Sequence, residues 1–201
     1  MSRLRQLWPH LVRAVPWEPV VATATIAGAL GRVASHADVT TLAALLALGV
    51  GFVLDDPAAA TLACSPSTLW WRRRMRLVLM LPLVAFLWAT VVAVAELPTA
   101  TDHGPAALES ATMVAVVLAA SAAAARWNGD GMGGAAAGPV LLGLVFVARV
   151  LPGRWAFFPV QVHERRWLVA LVVACGVLLL ASRDPARRAM NRSRAPVRQG
   201  G

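Results

Sequence analysis

Six long apolar runs limit what this chain can become more than any other feature. They fall at roughly residues 19–35, 39–54, 77–97, 106–126, 134–152 and 166–182 and are rich in Ala, Val and Leu. A helix that crosses the hydrocarbon of a bilayer needs about 20 apolar residues, so the runs predict membrane spans. None alternates as a barrel strand does, and the alanine content favours helix throughout. The first two runs are short. At ~1.5 Å per residue they reach only about 24 Å, so they must draw on flanking residues or thin the bilayer, a buried helical hairpin being the alternative. The fold expected is an all-α membrane protein of six transmembrane helices, with an N-terminal interfacial amphipathic helix and a helical cytoplasmic elbow between helices 2 and 3.

Composition agrees with a membrane as solvent. The chain is 58% hydrophobic and 14% charged, where a soluble domain is about a quarter charged. The net charge of +9 would suggest nucleic acid in a soluble protein. Here the basic residues cluster between apolar runs, as in cytoplasmic loops, and no nucleic-acid partner is expected. All 19 basic residues are Arg, with no Lys. A P-loop needs Lys to reach nucleotide phosphates and a Schiff base needs its amine, so neither chemistry belongs to this chain alone. Cys64 lies in a charged interruption and Cys175 within the last apolar run. They read as free thiols at different depths, outside any disulfide or metal pattern.

The first 18 residues, MSRLRQLWPHLVRAVPWE, carry Leu4, Leu7, Trp8, Leu11 and Val15 at helical spacing with Arg5 and Arg13 elsewhere on the wheel. This predicts a helix lying in the interface on the cytoplasmic side, which Pro9 would kink or restart; a disordered basic tail is the alternative. No continuous apolar stretch marks a signal peptide there. Arg3, Arg5 and Arg13, then Arg72, Arg73, Arg74 and Arg76, then Arg183 to Arg198 all fall on one face of a six-span topology. That places both termini in the cytoplasm of a multi-pass protein of the cell membrane, with 183–201 as a basic tail expected to be disordered.

Charges at membrane depth need a partner or an exit. Arg32, Glu109 and Arg149 come out at the same, outer depth. Two readings follow: an ion pair between Glu109 and Arg149 with Arg32 nearby, or arginines that snorkel to the headgroups beside a hydrated carboxylate. His10, His36, His103 and His163 are isolated and no HExxH or Cys/His cluster occurs, so neither a metal nor a catalytic site is predicted. NGDGMGG at 128–134 resembles a phosphate loop only in its glycines and reads as a turn. In the outer loop before the last run, Trp155, Phe157, Phe158 and Trp167 read first as an aromatic belt.

The interruption LDDPAAATLACSPSTLWWRRRMRL, residues 54–77, holds more than topology requires. Asp55 or Asp56 can cap a new helix with Pro57 in its first turn. Ser65 or Ser67 can cap a second that runs through Trp70 and Trp71 into the third span, with its arginines facing the cytoplasm. The result is a rigid elbow offering a docking surface, or a loop that only anchors to the membrane.

The whole layout, with this helical loop after the second span and a proline- and aromatic-containing segment before the sixth, resembles the membrane subunit of a type 2 ATP-binding-cassette exporter. The wording of the interruption is similar to small actinobacterial proteins of that kind. The resemblance implies two membrane subunits facing each other, as homo- or heterodimer, over two ATPase chains that bind ATP and Mg, with no cofactor or enzyme activity in this chain. It also implies that Asp55, Asp56, Trp70, Trp71, Arg72, Arg73 and Arg74 contact the ATPase. A membrane scaffold or regulator using the same elbow is the competing class. A lipid enzyme is disfavoured by the lack of paired acid, His or Lys residues.

Overall fold

The computed structural model describes residues 17–33, 38–55, 69–94, 103–128, 133–150 and 160–182, and their side chains except at 69, 70, 103 and 160–163. The interfacial helix expected over 1–18 falls almost wholly outside them. So do the basic tail at 183–201, the aromatic loop at 151–159 and the centre of the elbow at 56–68.

Among the described residues the chain is all-helical. The elements are α1 (Trp17–Val33), α2 (Val39–Val50) running into a 3-10 turn (Gly51–Leu54), α3 (Leu69–Val94), α4 (His103–Asn128), α5 (Gly134–Val150) and α6 (Val160–Ala181). Two of them, over Trp71–Val94 and Gly104–Asn128, are long and apolar enough to cross a membrane; Val39–Leu54 and Gly134–Val150 are shorter apolar helices.

Local chemistry sets several of these ends. Glu18 in the first turn of α1 and Arg32 in its last both suit the helix dipole. Asp38 caps α2, its carboxylate accepting from the Thr41 backbone N–H at 3.0 Å, which satisfies one of the donors a helix start leaves open. Leu69 opens a helix of 26 residues that continues unbroken into the apolar run beginning near 77. Pro82 lies inside it on an exposed side, and its missing N–H removes one rung of the ladder.

α4 is the central helix. Its most extensive contact is with α6, and it also packs on α2 and α5, while α1 bridges α2 and α3. Between Glu109 and Ala125 it buries Met113, Val117, Leu118 and Ala122 among others. Small residues dominate this stretch, which lets neighbouring backbones come close. α1 and α2 meet most tightly at Gly49, where a Cβ would lie 2.6 Å from the Pro19 carbonyl oxygen and 2.9 Å from the Val20 Cα. On α6 the inward seam is Trp167, Ala174 and Ala181, seven residues apart and so on one side of the helix. Trp167 is therefore a core residue rather than part of an aromatic belt.

The outward faces are as apolar as the interior. α6 exposes Leu168, Val169, Val172, Val173, Val177, Leu179 and Leu180; α5 exposes Val140, Leu142, Phe146 and Val147; α3 exposes Val78, Leu81 and Phe86. Soluble monomers seldom show contiguous apolar surface of this extent.

Candidate functional site

The elbow is rooted at Asp55, and the structure gives that residue a role the sequence reading did not contain. The short helix expected to begin at Asp55 or Asp56 lies outside the described residues; the Asp55 Oδ1 accepts from the backbone N–H groups of Gly133, at 2.7 Å, and Gly134, at 2.8 Å. These are the first donors of α5, 78 and 79 residues further along. The open N–H groups and positive end of a helix attract a carboxylate, so an internal acid fills the site the glycines create. The Asp55 carbonyl in turn accepts from the Arg76 guanidinium on α3. One turn earlier, the Ser121 hydroxyl of α4 donates to the Gly51 carbonyl at 2.7 Å.

The two glycines are required by contact. A Cβ on Gly134 would lie 2.6 Å from Phe52 and 2.7 Å from the Asp55 carboxylate, and one on Gly133 would lie 1.9 Å from the Ser121 carbonyl oxygen. Asp55, Gly133, Gly134, Ser121 and Arg76 thus tie the end of α2 to the starts of α3 and α5 and to α4. The Gly-rich segment had read only as a turn. An acid that ends one apolar run and a glycine pair that opens another were visible, but nothing in their spacing joins them.

The arginines divide by helical phase. Arg73 and Arg76 are buried, at 2% and 7% exposure, and lie on the side of α3 that carries Met80, Val84 and Val91 inward. The expectation that all the arginines face the cytoplasm is corrected here: α3 starts at Leu69, so its inward stripe extends through positions 73 and 76. Arg73 has no surface to offer a partner. Trp71 and Arg74 are exposed and Arg72 is half-buried. Trp70 lies in α3 with its side chain outside the described residues, as is Asp56.

At the opposite end, Glu109 on α4 is only 4% exposed. Its Oε1 has no hydrogen-bond partner, and Thr40 of α2, Asp38 and Arg149 are the polar groups that act on its carboxylate. One of the two readings paired Glu109 with Arg149; the ion pair observed joins Arg149, in the last turn of α5, to Asp38. Burial pushes the Asp38 carboxyl up, but the Thr41 hydroxyl and N–H and the Arg149 guanidinium more than offset it, leaving it below the ordinary carboxylate value. As the cap of α2, Asp38 sits within reach of Arg149 on α5. Arg32 lines a separate groove between α1 and α3, with Thr90, Val91 and Val94.

Among the described residues no three His, Cys, Asp or Glu side chains gather as a metal site would need. No protein-family model, curated protein or solved structure matches the chain.

Proposed function

We propose that this chain is the membrane subunit of an ATP-binding-cassette exporter in the cell membrane. It would span six times with both termini in the cytoplasm and work through a separate ATPase chain that supplies the ATP and Mg chemistry. The apolar outward faces of α3, α5 and α6 support lipid contact. α4 and α3, at 26 residues each, are about 39 Å long, enough for a bilayer core of about 30 Å. α5, at 17 residues and about 26 Å, would be matched by local thinning or by its flanks.

The observation that carries the functional part of this reading is the brace at Asp55. A partner that pushed on the elbow would pull on the carboxylate holding the first turn of α5 and on the carbonyl held by Arg76. Displacement of the elbow would then reach α3 and α5 together. The surface left for the partner is Trp71, Arg74 and part of Arg72, with the elbow residues that precede them.

The reading is tested by purifying the tagged chain in a mild detergent. An ATPase with a P-loop is expected to co-purify with it. Arg74→Glu combined with Trp71→Ala is expected to reduce the recovered ATPase at least tenfold, with the variant eluting from size exclusion as the wild type does. Recovery of the wild-type chain without an ATPase would overturn the transporter reading and leave the scaffold.

A further inference from the structure

A cleft of about 580 Å³ opens between the ends of α4 and α6, lined by Ala123, Arg126, Trp127, Val177, Leu180 and Ala181. Its two polar features stand side by side in the last turn of α4. The Arg126 guanidinium donates from Nη1 to the Leu180 carbonyl at 2.8 Å, which fixes it at the rim and engages one of its five N–H donors. Trp127 is 90% exposed, although an indole is among the larger apolar groups a chain can bury. Away from this rim the lining is aliphatic and continues along α6 through the exposed Val173 and Val169.

An occupant must therefore carry an anion at one end, tolerate an indole beside it, and extend an apolar chain down the α6 face. We infer that the cleft seats an anionic glycerophospholipid, with its phosphate at Arg126, its glycerol level at Trp127, and an acyl chain over Ala123, Val177 and Leu180. The inference rests on the membrane-spanning part of the proposed function. In that topology these residues lie at the cytoplasmic surface, where basic pockets between helices hold lipid headgroups and Trp marks the interface. Among the described residues the lining contains no acid, so a second copy docked symmetrically at this cleft would bring Arg126 against Arg126 without a counter-charge from them. Charge favours the lipid.

The test is native mass spectrometry of the full chain released from nanodiscs of equal phosphatidylglycerol and phosphatidylcholine with matched acyl chains. The wild type is expected to retain phosphatidylglycerol about fivefold over phosphatidylcholine, the preference one arginine near the surface confers. Arg126→Gln should bring that ratio close to one while lipid is still retained. Ala123→Phe, which fills the floor of the cleft and keeps the charge, should reduce retention of both lipids. Equal ratios in the wild type and Arg126→Gln would overturn the inference. So would displacement of the lipid by inorganic phosphate, or disulfide cross-linking of Trp127→Cys between two copies. A chain absent from the nanodisc fraction would overturn the membrane reading itself, a failure visible before any lipid is counted.

Discussion

Asp55→Ala is expected to lower the thermal unfolding midpoint of the purified chain by roughly 10 °C. The substitution leaves the Gly133 and Gly134 N–H groups, now bonded at 2.7 and 2.8 Å, without an acceptor at a crowded helix start. Hydrogen bonds to a charged group contribute about 1.5–3 kcal/mol each, so a loss of about 3 kcal/mol for the pair is a conservative sum. For a chain of this size each kcal/mol corresponds to about 2–4 °C. Asp55→Asn keeps the Oδ1 acceptor and loses the charge, and should fall between the two because charge-assisted bonds are about twice as strong. Unfolding is followed by tryptophan fluorescence or differential scanning calorimetry in one detergent. A wild-type midpoint for Asp55→Ala would show that the brace contributes nothing.

Gly49→Ala should cost about 2–3 kcal/mol, near the upper end of what overpacking usually costs. The added Cβ meets the carbonyl oxygen of Pro19 and the Cα of Val20, backbone atoms that move only if α1 moves. The Thr23 side chain, 2.1 Å away, could rotate but gives up its bonds to the Pro19 and Val20 carbonyls. Gly28→Ala supplies the control. Its Cβ would meet nothing within 4 Å, so the gain in helix propensity should raise stability by up to about 1 kcal/mol. If the two glycines respond alike to alanine, α1 and α2 do not approach as described.

The helical character of the described residues was legible because each apolar run is bounded by charge, proline or glycine and rich in helix-forming Ala and Leu. The side of α3 that its arginines occupy was not legible. Topology rules assign Arg by class to loops, whereas the helical phase of Met80, carried back four and seven residues, assigns Arg76 and Arg73 to the interior. That Glu109 and Arg149 come within reach of one another could be read from their positions in their runs. The partner of Arg149 could not, because Asp38 becomes available only when it caps α2. The Asp55 brace lay furthest from view: its partners are backbone N–H groups, which carry no sequence signature, and the contact closes a loop of 78 residues.

In the proposed topology the elbow faces the cytoplasm from a membrane-embedded bundle, and the native thiol at Cys64, within that stretch of sequence, reports on it directly. In a Cys175→Ser background, a membrane-impermeant maleimide is expected to label Cys64 in inside-out vesicles and leave it unlabelled in intact cells. With Cys64 also replaced by Ser, a thiol introduced at His36, between α1 and α2 in the sequence, should show the reverse. Labelling of Cys64 from outside intact cells would contradict the account, as would recovery of the chain in the soluble fraction.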